Sequence, residues 1–260
     1  MPDMPRTARR KSKSGIYHII IRGANRQELF HGEKDRLRFL ETVERYKTET
    51  EIRIYGWCLM NNHIHLVLQE GKEDLAITMK RIGVSYVWYY NSKYRTTGHL
   101  FQDRYRSENV ESDGYLATVV RYVHQNPVKA GLVKRPSDWQ WSSCQAYYGN
   151  GAYNQELLDS ELILGLFSQD KNTARNKFRE FNEIENDDKC LDDDVSIRLT
   201  DEEARLEIEK ISPGFNIAQV KSLPKKQRDE IIKKAKRIEG ITQRQLARVL
   251  GVSQTLISIV

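Results

Sequence analysis

The chain has 260 residues, of which 39% are hydrophobic, so it has enough apolar material for one large or two smaller packed domains. A formal net charge of +6 and a sequence pI near 9.1 favour a polyanionic partner. No apolar run approaches the roughly 18 residues of a membrane span, and the N-terminus lacks the apolar segment of a signal peptide, so we expect a protein of the cytoplasm.

The first 14 residues carry five Lys/Arg against one Asp and show no apolar periodicity, which predicts a flexible basic tail. Such a tail either contacts phosphate or only keeps the chain in solution. The β-branched and aromatic residues from 15 to 21 predict a first strand, and residues 22 to 26 predict a basic loop that contains a glycine.

A helix and a hairpin are predicted next. Apolar residues recur at helical spacing over residues 33 to 50, which indicates an amphipathic helix. Residues 51 to 59 are typical of a second strand. The pair Asn61 and Asn62 predicts a tight turn into a third strand, which ends near Glu70.

A second amphipathic helix is predicted over residues 74 to 94, and a fourth strand over residues 98 to 110. Ser112 or Asp113 can cap a third helix, which should stop before Pro127. The order βαββαβ predicts an α+β domain with an antiparallel sheet, in the split-βαβ or ferredoxin-like arrangement.

Two histidines occupy alternate positions of the predicted third strand. Because residues i and i+2 of a strand face the same side, His63 and His65 should point together, while Ile64 and Leu66 point into the core. This arrangement suits two ligands of one metal ion. An isolated His-x-His pair is more often two ordinary strand histidines, so the rest of the sequence has to decide between these interpretations.

A tyrosine and an amide lie one turn apart on the predicted third helix. Tyr122 and Asn126 are separated by four residues and therefore project from the same face. If that face meets His63 and His65, the Asn126 amide oxygen completes a site with open positions, which suits Mg²⁺ or Mn²⁺ better than a structural zinc. A tyrosine, with an ordinary pKa of about 10, becomes a competent nucleophile beside a metal-polarised phosphodiester and a base. Two residues nearby in sequence stay unassigned as that base: His124 and Lys129.

Five segments carry a family resemblance: YHIIIRGANRQELF (17–30), CLMNNHIHLVL (58–68), GHLFQDRYRSENVESDGYL (98–116), RYVHQNPVKAGLV (121–133) and WQWSS (139–143). In this order they resemble the single-tyrosine HUH transposases, and among these most closely the REP-associated tyrosine transposases. The resemblance covers about residues 15 to 150. Five linked motifs are a far stronger signal than His-x-His alone.

The resemblance implies a role for each matching residue. His63 and His65 would be the HUH metal ligands, Tyr122 the nucleophile and Asn126 the third ligand. Members of the family cut single-stranded DNA beside a hairpin and form a 5′-phosphotyrosine intermediate with a free 3′-hydroxyl, so rejoining needs no nucleotide cofactor. One departure is Asn61, where the family commonly has Pro, which changes the stiffness of the turn and leaves the ligands intact.

Tyr115 is the rival nucleophile, because it lies seven residues before Tyr122 on about the same helical face. The residue four positions after Tyr115 is Val119, which cannot ligate a metal, and this difference favours Tyr122. A helix tyrosine that only packs on the sheet is the remaining alternative.

Basic and aromatic residues in the same segments are candidates for DNA contacts. Lys and Arg dominate the binding of nucleic-acid backbones. The candidates for phosphate contacts are Arg22, Arg26, Arg104 and Arg106. Each is alternatively a solvated surface charge. Trp139 and Trp141 are candidates for stacking on unpaired bases, although core packing is the more common role of tryptophan.

Beyond residue 150 the resemblance fades, and residues 151 to 215 predict a helical and acidic connecting region. Within it, residues 183 to 203 carry ten Asp/Glu against two Lys/Arg. This composition indicates a linker, an acidic surface that repels DNA, or an exposed loop without a role.

Residues 216 to 260 predict an all-α helix-turn-helix module. Residues 221 to 239, with eight Lys/Arg to three Asp/Glu, predict a basic amphipathic helix. It is followed by a helix capped by Thr242, a turn at Gly251 and a second helix capped by Ser253. The N-terminal residues of such a second helix contact base edges of duplex DNA. Here they are Ser253, Gln254 and Thr255.

The alternative for this module is a helical hairpin used for packing or dimerisation. The chain ends at Val260, eight residues into the second helix, which leaves open that the module is truncated. A shortened recognition helix would weaken or abolish duplex binding.

The sequence therefore predicts a metal-dependent single-stranded DNA endonuclease and strand transferase, active on DNA hairpins as a monomer or a homodimer. The first rival is an HUH replication initiator or relaxase, which performs the same reaction on another target. The second rival is a non-catalytic DNA-binding regulator with the same fold. Neither the target DNA nor the choice between attack within one subunit and attack across two follows from the sequence.

Overall fold

The computed structural model describes residues 10–150, 155–191, 199–211, 217–238 and 240–260. The chain divides into two compact units, Met1–Leu191 and Asp192–Val260. The first nine residues of the predicted basic tail and residues 192–198 of the acidic segment lie outside the described residues. The domain boundaries at residues 150 and 215 stay predictions.

The first unit is built on one antiparallel sheet in the order β2-β3-β1-β4. Its strands are β1 (Ile16–Arg22), β2 (Arg53–Leu59), β3 (His63–Gln69) and β4 (Arg106–Asn109). This order is the one expected of a βαββαβ chain, because each helix connects two parallel strands that a third strand separates. The predicted α+β class with an antiparallel sheet is confirmed.

The helices of the first unit are α1 (Glu33–Thr50), α2 (Leu75–Tyr94), α3 (Asp113–Lys129), α4 (Cys144–Tyr147), α5 (Glu161–Gly165) and α6 (Lys171–Glu183). The side chains of Asp74 and Ser112 cap α2 and α3 by accepting backbone N–H groups of the first turn. No helix in the described part of the chain is long and apolar enough to cross a membrane.

The sheet is covered on both faces. On one face, side chains of β1, β2 and β3 join α1 and α2 in a core that contains Phe39, Ile64, Leu66 and Tyr86. On the other face, α3 packs in a core that contains Cys58, Val67, Val120 and Val123. Burying each of these large apolar side chains stabilises the fold by about 1.5–3 kcal/mol. The odd-numbered positions of β3, which include both histidines, therefore lie under α3.

Two predicted boundaries were wrong. The fourth strand begins at Arg106 rather than Gly98, because the polar stretch before it forms a loop. This loop meets the end of β1 through a Phe101–Gly23 bridge and a bond of 2.9 Å from the Gln102 N–H to the Arg22 carbonyl. The third helix passes through Pro127 and ends at Lys129. A proline in the last turn removes one donor, and the helix still closes with a bond from the Ala130 N–H to the Asn126 carbonyl of 2.9 Å.

The described part of the acidic segment is attached to α3. The carboxylate of Asp188 accepts two bonds from the Arg121 guanidinium, at 2.8 and 2.9 Å. The amide of Gln125 donates to the carbonyl of Ile184 at 2.9 Å, and the Leu191 N–H donates to Glu108 at 2.8 Å. Residues 184–191 are therefore part of the first unit rather than a linker.

The second unit contains α7 (Asp201–Ile211), a 3₁₀ helix (Ile217–Ser222), α8 (Lys225–Ala235), α9 (Gln243–Leu250) and α10 (Gln254–Ile259). Its core contains Ile208, Ile232, Leu246, Leu250 and Ile257. Thr242 caps α9 and Ser253 caps α10, as predicted. Gly251 joins these helices with a φ of 66°, in the left-handed region that favours glycine.

Candidate active site

The two histidines of β3 lie beside each other on the face under α3. The ring centroids of His63 and His65 are 5.0 Å apart. In the sheet register, His63 is opposite Arg22 and His65 is opposite Ile20. His65 is 1% exposed and His63 is half-buried, so one edge of the pair reaches the surface.

The third helix brings Tyr122 and Asn126 to the same place. The Tyr122 ring is buried, with its centroid 6.1 Å from that of His65. The Asn126 side chain is near enough to His65 to raise the pKa of that imidazole, although burial has the larger, opposite effect. Its amide nitrogen donates to the Tyr122 carbonyl at 3.3 Å, so the nitrogen is used within the helix. The predicted set of four residues is therefore assembled from one strand and one helix.

The charge state of His65 suits a metal ligand. Burial lowers the pKa of His65 well below its ordinary value, and the neighbouring His63, His18 and Arg22 lower it further. The imidazole is therefore neutral at physiological pH and has one nitrogen lone pair to donate. Its Nε2 atom is buried and has no hydrogen-bond partner among the described residues.

Two residues of the site were missed by the sequence analysis. His18 of β1 is fully buried, and its Nε2 lies 3.0 Å from Nδ1 of His65. Glu108 of β4 is opposite His18 in the register, with Oε2 3.6 Å from His18 Nδ1. Burial would raise the pKa of Glu108, but contacts with His18, the Leu191 N–H and Tyr115 lower it, so the carboxyl is ionised.

The rival nucleophile Tyr115 is placed differently from Tyr122. Its hydroxyl is hydrogen-bonded to Glu108, and burial followed by this bond raises the pKa of the phenol. A phenol that donates to a carboxylate and resists ionisation is a poor nucleophile.

The two residues that the sequence left open as a base, His124 and Lys129, have different surroundings. His124 is fully buried, with Nδ1 3.0 Å from Asn182 Oδ1 and Nε2 2.7 Å from Ser143 Oγ. Burial lowers the pKa of His124 to about 4. Both of its nitrogens are engaged in the core, so His124 cannot serve as the base for Tyr122. Lys129 instead lies over the Tyr122 ring, with Nζ 4.6 Å from the ring centroid.

Two of the four predicted arginines share the histidine face of the sheet. Arg22 is opposite His63, and Arg106 is opposite Ile20, so both point to the side of α3. Arg26 is exposed in the loop after β1, and Arg104 is exposed in the loop before β4. All four stay candidates for phosphate contacts.

A close turn holds the Arg26 loop against the start of β3. The Gly23 N–H donates to the Asn62 carbonyl at 2.9 Å. A Cβ atom at Gly23 would lie 2.2 Å from the carbonyl oxygen of Gln27, so the chain can turn here only with glycine.

Hydrogen bonds fix the turn in which Asn61 replaces the usual proline. The Asn61 side-chain oxygen accepts from Arg36 at 2.7 Å, and its carbonyl accepts from the Leu29 N–H at 2.8 Å. The next side chain, Asn62, contacts Nδ1 of His63 at 2.8 Å. The turn is thus stabilised by contacts with α1 and with the segment before it, rather than by a proline ring.

The two tryptophans adopt the packing role. Trp141 is buried in the same core as α1 and α2. Trp139 is half-buried, and its indole N–H donates to the Leu59 carbonyl at 3.3 Å. In the second unit, Ser253, Gln254 and Thr255 are exposed at the start of α10.

Comparison with known proteins identifies relatives of the first unit. A family model described as "Transposase IS200 like" matches residues 11–126. A putative REP-associated tyrosine transposase of Haemophilus influenzae is 27% identical over 147 residues, which cover 51% of this chain and 81% of that protein. The REP-associated tyrosine transposase of Escherichia coli is 24% identical over 144 residues, 54% of this chain and 83% of that protein.

A solved structure of a REP-associated tyrosine transposase bound to a REP hairpin is 22% identical to this chain. The match covers 58% of this chain and 90% of that one, with a TM-score of 0.49. The resemblance indicated by the five motifs is therefore confirmed, because residues 11–126 match the family model of the IS200-like transposases, which are enzymes.

Proposed function

We propose that this protein is a metal-dependent single-stranded DNA endonuclease and strand transferase that acts through a 5′-phosphotyrosine intermediate. The observation that carries the proposal is the meeting of Tyr122 and Asn126 with His63 and His65 under α3. One strand and one helix thus supply a tyrosine hydroxyl and three groups that are able to ligate a metal ion.

The donor atoms fit a divalent metal with open positions. The resemblance to the HUH transposases implies a divalent metal ion. The described residues contain no group of three or more His, Cys, Asp or Glu side chains that could hold one. His63, His65 and the amide of Asn126 form a different, mixed set, and the buried, unpaired Nε2 of His65 needs a partner. Mg²⁺ or Mn²⁺ suits this set and would polarise the scissile phosphate.

The chemistry of the chain's own residues follows from their placement. The Tyr122 oxygen attacks the phosphorus, and the bond from phosphorus to the 3′ oxygen breaks. The phosphotyrosine ester is then on the 5′ end of the fragment that lies 3′ of the cut, and the other fragment ends in a 3′-hydroxyl. The proton released by the phenol passes through a base to the 3′ oxygen that leaves. Lys129 and the Arg22 and Arg106 side chains supply positive charge for the phosphate. Attack by a 3′-hydroxyl on the phosphotyrosine reverses the step and rejoins DNA.

We propose a DNA hairpin, of the REP type or at the end of an insertion sequence, as the substrate. The support is that both curated relatives are REP-associated transposases. Incubating such hairpins with the protein and Mg²⁺ tests the function. Metal-dependent cleavage supports the enzyme, whereas binding without cleavage of any hairpin favours the non-catalytic regulator. A replication initiator or relaxase would be distinguished by its target and products.

Asn126→Ala should raise the Mg²⁺ or Mn²⁺ concentration needed for half-maximal cleavage, because one of three protein ligands is lost. We expect a shift of about 10–100-fold, the range found when groups around a bound metal are removed. The cleavage rate measured against metal concentration gives this value. Gln125→Ala is the matched control, since its amide contacts residues 182, 184 and 186 instead. An unchanged metal titration for Asn126→Ala would remove this residue from the site.

We further propose that the second unit binds duplex DNA through α10. The double variant Gln254→Ala/Thr255→Ala should weaken duplex binding by about 1–3 kcal/mol per lost base contact and should leave hairpin cleavage unchanged. Fluorescence anisotropy with labelled duplex measures the affinity. Gln219→Ala, an exposed glutamine of the same unit, is the control. Equal duplex affinity of the double variant and the wild type would favour the alternative of packing or dimerisation.

A further inference from the structure

Three side chains on neighbouring strands form a row that starts at His65. Its members are His65 on β3, His18 on the neighbouring β1 and Glu108 on β4. The His18 and His65 rings stack with centroids 5.3 Å apart and an interplanar angle of 21°. The His18 ring also meets the Tyr122 ring edge-on at 5.9 Å. The strand register therefore fixes these groups relative to one another.

The carboxylate at the end of this row is itself held in place. Glu108 Oε2 accepts a bond of 2.8 Å from the Leu191 N–H, and Tyr115 binds the same carboxylate. Its Oε2 lies 3.6 Å from Nδ1 of His18, so it acts on that nitrogen through its charge. An anion at this position favours a ring N–H that points toward it.

The positions of the protons then follow from the donor and acceptor pattern. With the proton of His18 on Nδ1, facing Glu108, its Nε2 is an acceptor and takes a bond from Nδ1–H of His65 at 3.0 Å. The lone pair of His65 is thereby left on Nε2, the buried atom without a partner among the described residues. The opposite assignment would place a lone pair of His18 against the carboxylate and a proton on Nε2 of His65.

We propose that His18 and Glu108 are positioning residues that hold His65 in the tautomer in which Nε2 can ligate a metal ion. The inference rests on the proposed function, because the metal ion proposed there is what accepts the lone pair of His65. Partners of this kind behind a ligating histidine fix its ring orientation, and their loss typically weakens metal affinity by about 10–100-fold. His63 has a simpler partner, the side-chain oxygen of Asn62, at 2.8 Å from Nδ1.

The first test reads the tautomer directly. The full chain, labelled with ¹⁵N in its six histidines and free of metal, is studied by long-range ¹H–¹⁵N correlation NMR, with His65→Gln used to assign the signal. We expect wild-type His65 to carry its proton on Nδ1. The variant His18→Phe, which keeps a ring of similar size, should transfer a measurable fraction of the proton to Nε2. A wild-type His65 protonated on Nε2 would overturn the inference.

The second test measures binding of Mn²⁺ alone by electron paramagnetic resonance. His18→Phe should bind Mn²⁺ about 10–100-fold more weakly, and His18→Gln, whose amide oxygen can accept from Nδ1–H, should recover part of the loss. The Mn²⁺ affinity of Glu108→Gln should be lower than that of the wild type and higher than that of either His18 variant. Glu111→Gln, an exposed carboxyl nearby, should bind as the wild type does. Wild-type affinity in a folded His18→Phe protein would contradict the inference.

The two tests separate this inference from the proposed metal site. Should wild-type Mn²⁺ binding survive His63→Ala unchanged, the proposed metal site fails, while the tautomer measurement still decides the role of His18. Should wild-type binding depend on His63 but not on His18, only the positioning role fails. If His18→Phe does not fold, the wild-type spectrum and Glu108→Gln still decide.

Discussion

Replacing His63 or His65 with alanine is expected to reduce hairpin cleavage by at least about 100-fold, because the metal that these residues would hold contributes several kcal/mol to the stabilisation of the transition state. Hairpin affinity should change little, since contacts with the phosphate backbone supply most of the binding free energy. His63 is the cleaner test of the two, because it is half-buried, whereas alanine at the fully buried His65 leaves a cavity.

The measurement is cleavage of a fluorescently labelled hairpin in Mg²⁺, with hairpin affinity measured separately in EDTA by anisotropy. His99→Ala is the control, because His99 is an exposed histidine in the loop before β4. Full activity of either His63→Ala or His65→Ala would contradict the metal assignment. A parallel loss of affinity and cleavage would instead indicate a role in DNA binding.

Tyr122→Phe should abolish cleavage and strand transfer, because the variant lacks the oxygen that attacks phosphorus. It removes one atom from a buried ring and almost no volume, so the fold should be retained. Tyr115→Phe is the matched control, since it makes the same chemical change about two turns earlier on the same helix. It should retain cleavage, because the Tyr115 hydroxyl is engaged by Glu108.

The control variant Tyr115→Phe is itself expected to be less stable than the wild type. Loss of the Tyr115 bond to Glu108 should lower the free energy of unfolding by about 0.5–1.5 kcal/mol. The stabilities of the wild type, Tyr122→Phe and Tyr115→Phe are therefore measured by chemical denaturation beside the activity assay. This separates a loss of folded protein from a loss of catalytic activity. Cleavage that persists in Tyr122→Phe and disappears in a stably folded Tyr115→Phe would reverse the assignment.

Local periodicity predicted which residues of the candidate site face the same side within a single strand or helix. Alternation along β3 placed His63 and His65 on one side, and a four-residue spacing placed Tyr122 and Asn126 on one face of α3. The family resemblance then related strand to helix. Periodicity alone could not do so, because it does not show which face of the sheet a helix covers.

His18 and Glu108 were missed for a related reason. Their contacts with His65 depend on the lateral order β3-β1-β4 and on the register of each pair. A shift of one residue in register would move a side chain to the opposite face. Within its own strand, His18 lies among apolar residues like any core position, so the local sequence gives no signal of its contact with His65.

Net charge also did not predict where the acidic segment lies. A run of carboxylates predicts repulsion from DNA, but it does not show where a cation meets one of them. In the structure, the carboxylate of Asp188 accepts two hydrogen bonds from the Arg121 guanidinium of α3. Because both side chains are mostly buried, this pair holds residues 184–191 on α3 instead of leaving them in solvent.

The most direct measurement of the central claim is the identity of the residue that becomes joined to DNA. A hairpin oligonucleotide labelled 3′ of the cleavage site is incubated with the protein and Mg²⁺, and the labelled adduct is digested with trypsin and nuclease and analysed by mass spectrometry. Trypsin separates the two candidates, since Tyr115 lies in peptide 107–121 and Tyr122 in peptide 122–129. We predict a phosphonucleotide on peptide 122–129 that EDTA suppresses. An adduct on peptide 107–121, or on neither peptide while the hairpin is cut, would contradict the assignment of Tyr122 as the nucleophile.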